Sequence, residues 1–350
     1  MQPWCAPDAE HWLRAHLKQL GCSKLDRSLA AQLVSSSERS PGSPPLLFLN
    51  VGANKGYEVA GLLETWAPHL GVSQASWFAL IKARAAAIGS GYLRWTARGA
   101  CDEGGTTGRG RRGRQAAQPP HEPPPTRPPA LPSRALKIYA FEMHPATAQL
   151  LRHLINATHA AGLVEVVNAP VSDRSMPVPV PWRALARPPG TEGTQICTTC
   201  AERQVAHVNA TSVDDFLRAA GLADASLEGV VVDTEGHDLH VLHGMRRALA
   251  RRRVRHLEFE YSRYGAWRDA LTRPEHSLAR ALAWLRALGY ECFWLGPKGA
   301  LVPASPPCWR HSFEHRTWSN LRCAAEPAVL GLLQRAAREQ YGLRAGARGV

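Results

Sequence analysis

Apolar runs and helical periodicities alternate along most of this chain. The run LLFLNV ending at Val51 is continuous and closes on a glycine turn, the pattern of a strand buried on both faces of a parallel sheet. KIYAFEMH at 137–144 predicts a second strand, TAQLLRHLINATHAAG its helix and VEVVNAPVS a third strand. Ser212 opens another helix with a hydroxyl cap and the early carboxylates Asp214 and Asp215. GVVVDTEG then predicts a fourth core strand meeting a turn, LHVLHGMRRALARR a helix and HLEFEYS a fifth strand. LARALAWLRALG predicts a helix ending on Gly289, and YECFWLG and the segment from Trp318 to Cys323 predict late strands. Strands alternating with helices over this length imply an α/β fold, a mainly parallel, doubly wound open sheet with helices on both faces.

Two stretches stand outside that rhythm. Residues 1–45 show helical spacing at Trp12, Leu13, Leu17 and Leu20 before a Ser-rich run and predict an N-terminal helical appendage. Between about residues 99 and 134 the composition collapses into Gly, Arg and Pro, a low-complexity insertion expected to be disordered because it offers too little apolar surface to bury. Residues 326–350 are expected to form a C-terminal helix and tail.

The net charge of +13 suggests an anionic partner until the charges are located. One group of arginines lies in or beside the insertion and another lies between Arg246 and Arg255, at a helix C-terminus where cations suit the dipole. Neither is interleaved with aromatics, so nucleic acid is not the expected partner. No apolar run of secretory or membrane-spanning length is seen, and a soluble, by default cytoplasmic, protein is expected. Two N-A-T sequons begin at Asn156 and Asn209, the first inside a predicted helix. Eight cysteines in 350 residues are too dilute for a disulfide scaffold. Cys197 and Cys200 have zinc-knuckle spacing, which would need Cys308 and Cys323 or His207 to close; ordinary thiols, or a local disulfide if the protein is secreted, are the competing readings.

The chemistry-bearing residues fall at strand ends. In VGANKGY, Gly52 and Gly56 allow a tight turn and a close approach to a ligand, and the helix that follows would offer N–H groups to an anion, with Asn50 and Asn54 as further hydrogen-bond partners. Glu142 ends the second strand, where a carboxylate can accept hydrogen bonds from both hydroxyls of a ribose. Such an acid usually follows the glycines by about 20 residues; here 142 − 56 = 86, and the insertion accounts for the excess. Asp233 and Glu235 follow the fourth strand, placed to orient a substrate or take its proton, or else to cap the next helix together with Asp238. His237, Glu258 and Glu260 could join them around a divalent metal, but carboxylates alone at this spacing are no known cage and no metal is assigned.

The segments VGANKGY, IYAFEMHP, NAPVSD, TSVDDFL, VVVDTEGHDLHVLHGM and HLEFEYS, in that order over about residues 46–325, resemble the FkbM family of methyltransferases. Cys308-Trp309 and WSNLRC at 318–323 are similar to eukaryotic members, which often carry long insertions after the first helix. The resemblance implies a Rossmann-like class I methyltransferase domain at 46–325, S-adenosyl-L-methionine as cofactor, and O-methylation of a sugar or small hydroxylated molecule, so a small-molecule or glycan acceptor as partner. It also implies Gly52, Ala53, Asn54 and Gly56 as the cofactor loop, Glu142 as the ribose acid and Asp173 near the adenine. Two positions depart from the family: Asn50 stands where Asp is usual, and Val231 where Lys is usual. An alternative from another class is a catalytically weak Rossmann-like protein that binds nucleic acid through its basic insertion. A nicotinamide oxidoreductase is disfavoured because the loop lacks G-x-G-x-x-G.

Overall fold

The computed structural model describes residues 5, 8–17, 27–36, 44–91, 93, 136–193, 195–196 and 204–340. The basic insertion and the Cys197/Cys200 pair lie outside the described residues.

An eight-stranded sheet organises the chain. Its strands are β1 (Leu46–Val51), β2 (Leu136–Phe141), β3 (Val164–Val167), β6 (Leu227–Val232), β7 (Val254–Tyr261), β8 (Glu291–Leu295), β9 (Leu301–Pro303) and β10 (Ser319–Ala324), in the order β3-β2-β1-β6-β7-β10-β8-β9. The five strands from β3 to β7 are parallel; β10 inserts antiparallel between β7 and β8, and β9 pairs antiparallel with β8. The fold is the expected Rossmann-like, mainly parallel α/β architecture. The chain runs outward from β1 to β3 and then returns to place β6 on the other side of β1. That reversal opens a crevice at the carboxyl ends of β1 and β6, where doubly wound sheets bind ligands.

Alternation along each strand sends side chains to two cores. Leu47, Leu49 and Val51 of β1 join Val230, Val232, Leu257 and Phe259 on one face, under α7 (Val213–Ala219), α8 (Asp238–Gly244) and α11 (Leu278–Ala287). Leu46 and Phe48 join Ile138 and Ala140 on the other, under α3 (Tyr57–Trp66), α4 (Gln74–Ala87) and α5 (Pro145–Ala157). The N-terminal segment is built into this body. Leu13 of α1 (Ala9–His16) enters the first core, and Leu29 and Leu33 of α2 (Arg27–Ser36) pack with Val329 and Leu333 of α12 (Pro327–Gln340).

Sequence pattern missed a hairpin, β4 (Pro177–Pro181) against β5 (Val205–Asn209). Its first strand carries Pro177, Pro179 and Pro181, which read as loop because proline cannot donate to a ladder; an isolated two-stranded ribbon has an outer edge where that donor is not needed. The short helices α6 (Trp182–Leu185) and α10 (Gly265–Asp269) follow β4 and β7. The arginine-rich helix after β6 is also divided, α8 ending at Gly244 and α9 (Arg246–Ala250) resuming after Met245.

Gly244 is the point at which α8 touches the loop after β3. A Cβ there would lie 2.0 Å from the Ser172 carbonyl oxygen, a backbone atom that cannot swing aside. Gly244→Ala should therefore destabilise by about 1–3 kcal/mol, the overpacking outweighing the roughly 1 kcal/mol of helix propensity gained. Gly331→Ala in α12, with nothing within 4 Å of the added methyl, should instead raise stability by up to about 1 kcal/mol. Urea midpoints of the two variants should move in opposite directions from wild type; equal shifts would remove the close approach.

Candidate active site

At the crevice, β1 ends in a loop held by its neighbours. The N–H groups of Gly52 and Ala53 both donate to the Phe141 carbonyl, Asn54 N–H donates to Glu142 Oε2 at 2.8 Å, and Gly56 N–H donates to Ala53 O. The N–H groups of the loop itself are thus taken up inside the protein. Gly52 sits at φ +86°, and a Cβ there would fall 1.7 Å from the Asp233 carbonyl oxygen. Its glycine is demanded by the packing of β1 against β6, before any ligand is considered. Gly56, at φ +81°, begins α3 and packs beneath Leu151 and Trp77.

An open cleft lies beside this loop. Gly52, Asn54, Glu142, Asp233 and Glu235 line it together with Phe141, Val171, Gly193 and His237. Of the residues singled out in the sequence, Asn50, Ala53, Gly56 and Asp173 lie off its wall. Asn50 is fully buried on β1 with both amide atoms unpartnered. Asp173 is one step away through Ser172, whose hydroxyl meets Asp173 Oδ1 at 3.1 Å and His237 Nε2 at 2.9 Å. Burial raises the Asp173 carboxyl, but Ser172, Arg174 and His240 outweigh it and the group sits below its usual range.

Glu142 is a structural and a binding candidate at once. Oε1 accepts from His144 N–H and Oε2 from Asn54 N–H, both at 2.8 Å, which fixes the carboxylate between the β1 and β2 loops and leaves each oxygen a further lone pair. Burial nonetheless pushes its pKa up against those two hydrogen bonds. Asn54 Oδ1, on the same wall, is buried without a partner. Unsatisfied acceptors beside a cleft are what a ligand carrying donors would complete.

The opposite wall is acidic. Asp233 opens onto the cleft, and burial raises its pKa while a hydrogen bond with Glu260 opposes the rise. Glu260 is itself buried and pushed well up, first by burial and then by the Asp233 charge, so the two carboxyls share a proton with Glu260 the more protonated. Glu235 is pushed up to about 7 by burial and by Asp233. It occupies the left-handed region at φ +56° and accepts from Gly193 N–H at 3.0 Å. α8 has no side-chain N-cap; Asp238, its first residue, instead holds the preceding turn, accepting from Thr234 N–H and Gly236 N–H at 3.0 Å each, and burial followed by Asp233 pushes it up to about 7. With Asp238 holding the turn, Asp233 and Glu235 are left facing the cleft.

The metal alternative is not supported by placement. Glu258 is engaged by Arg322 and His237 by Ser172, and among the described residues no group of three or more His, Cys, Asp or Glu is arranged to hold an ion. Zinc closure through Cys308 and Cys323 is excluded as well, because Cys308 is bonded to Cys5 and Cys323 to Cys292.

Lys55 was missed in the sequence, where a lysine between turn residues reads as solvated. Fully buried, its Nζ donates to Gly190 O at 2.9 Å and pairs with Glu192 Oε1 at 2.8 Å, while its own carbonyl accepts from Trp77 Nε1. Gly190 N–H donates in turn to Thr147 Oγ1. Lys55, Thr147 and Glu235 therefore pin the 190–193 loop across the cleft.

Residues 133–292 match the family model of the methyltransferase FkbM domain. The matched stretch contains Glu142, Asp233, Glu235 and Glu260 and begins after the 52–56 loop, which the fold places beside them. A solved structure of methyltransferase FkbM from Methylobacillus flagellatus KT is similar at a TM-score of 0.38 and 10% identity. That similarity covers 90% of this chain, which spans half the length of that one (50%). No curated protein sequence matches.

The acid cluster has a pH signature. An unfolded Glu235 would ionise near its ordinary 4.5, whereas in the folded chain it keeps its proton to about 7. Its contribution to stability is full below pH 4.5 and is lost as the pH rises through about 7. Glu235→Gln, which keeps the acceptor for Gly193, should match wild type in thermal melts at pH 4.5 and melt above it at pH 8. A gap of constant size across that range would show that Glu235 does not titrate there.

Proposed function

We propose, from the match of residues 133–292 to the FkbM methyltransferase domain model, that this chain is an S-adenosyl-L-methionine-dependent O-methyltransferase acting on a sugar or small hydroxylated acceptor. The observation that carries the reading is the two-sided cleft, with the hydrogen-bonded carboxylate of Glu142 on one wall and the acids Asp233 and Glu235 on the other.

The site's residues suit the cofactor. Glu142 can accept from ribose hydroxyls without releasing Asn54 or His144, and the unpartnered Asn54 Oδ1 can accept from an ammonium or hydroxyl. The cofactor would supply an activated methyl group, leaving the protein to position the acceptor oxygen in line and to remove its proton. Proton removal falls to Asp233, which reaches the cleft and, accepting a hydrogen bond from protonated Glu260, is the ionised member of the pair able to take the acceptor hydroxyl's proton. Glu235 holds the 190–193 loop beside the cleft through Gly193 and orients the acceptor.

The two walls should separate in kinetics. Glu142→Gln should weaken cofactor binding about 10- to 100-fold by titration calorimetry, the equivalent of about 1.5–3 kcal/mol for hydrogen bonds to a charged group, with little change in kcat at saturation. Asp233→Asn should bind the cofactor near normally and lose about 10²–10⁴ in kcat on an acceptor found by tritiated methyl transfer into fractionated glycan and small-molecule extracts. Wild-type turnover by a folded Asp233→Asn protein would remove the base. Gly52→Val is a poor probe of binding, because its side chain meets the Asp233 carbonyl before it reaches the cleft.

A further inference from the structure

Two observations away from the cleft point to the same chemistry. Four cysteines are paired: Cys5 with Cys308, Cα atoms 5.0 Å apart across 303 residues of sequence, and Cys292 with Cys323, 4.0 Å apart. The second pair joins directly opposed residues of β8 and β10 in the sheet interior, where both side chains are fully buried. The first ties the N-terminal segment to the turn before β10, so the covalent frame closes around nearly the whole chain. Such bonds persist where the surroundings are oxidising and are kept reduced in the cytosol. Separately, both N-A-T sequons present their asparagine to solvent. Asn156 lies exposed in the last turn of α5, and Asn209 is exposed at the end of β5, on the β4–β5 ribbon opposite Pro177. Neither lines the cleft, so a bulky polar substituent at either would leave it open.

We propose that this chain folds in an oxidising secretory lumen, where Cys5–Cys308 and Cys292–Cys323 form and Asn156 and Asn209 receive N-linked glycans. The default cytoplasmic expectation gives way to this reading. Each disulfide forms by exchange: two thiols lose two protons and two electrons to a disulfide-bearing protein oxidant, which is left as a dithiol. Each glycan arrives when an asparagine Nδ2 bonds to the anomeric carbon of a lipid-pyrophosphate-linked oligosaccharide; the lipid pyrophosphate leaves with the bonding pair and the amide gives up one proton. The sequence pattern and the disulfide geometry are independent of each other and of the methyl-transfer reading.

The test uses the full chain isolated from the cells that make it, with thiols blocked by N-ethylmaleimide at lysis. Non-reducing peptide mapping should recover the Cys5–Cys308 and Cys292–Cys323 linkages. Peptide N-glycosidase in ¹⁸O water should convert Asn156, Asn209 or both to labelled aspartate, and Asn156→Gln and Asn209→Gln should each remove one mobility step at the labelled site. Maleimide on all four cysteines, or linkages found with neither asparagine labelled, would overturn the proposal. No readout requires methyl transfer, so failure of the enzymatic reading is seen separately.

Discussion

The close approach of β1 and β6 at their carboxyl ends is the constraint on which this site depends. Asp233 N–H donates to Val51 O at 2.9 Å, and the Asp233 carbonyl occupies the space a Cβ on Gly52 would need. A parallel pair can come this near just beyond its ladder only if one residue has no side chain. The consequence is chemical: the loop that would hold a cofactor and the turn that bears Asp233 become a single rigid unit, with Glu142 clamped to it through Asn54. A site built on such a unit keeps its opposing groups at fixed separation, which is what positional catalysis requires.

Burial then sets the electrostatics. Asp233, Glu235, Asp238 and Glu260 crowd one wall, and ionising all of them would put several negative charges in a poorly solvated space, so the wall retains protons near neutrality. Asp238 is held by two backbone N–H groups and keeps the turn; Glu260 is buried behind Asp233. The division of labour comes from position. One acid shapes the backbone, one stores a proton, and two face the cleft.

The parallel core was legible because its strands are uninterrupted apolar runs, and LLFLNV and GVVVD each fall within a residue or two of the observed strand. Glu142, Asp233 and Glu235 were legible because they sit where those runs stop. The partners that give these acids their properties were not: Lys55, Ser172 and Gly193 come from loops whose meeting is set by the fold, and no local spacing encodes a contact between Lys55 and Gly190. Glu260 was visible only as a possible metal ligand, since its hydrogen bond to Asp233 depends on β6 and β7 being neighbours in register. The prolines of the β4 strand hid a ribbon for the converse reason, a local rule being satisfied by an edge the sequence does not announce.

The covalent frame and the cleft impose requirements on each other. Cys292–Cys323 ties β8 to β10, and β10 pairs antiparallel with β7, the strand that carries Glu260. An oxidising lumen, however, lies behind a membrane, and a donor bearing sulfonium, ammonium and carboxylate charges does not cross an apolar barrier unaided because each charge would have to be desolvated. A methyltransferase folded there must therefore draw on a carrier for its donor.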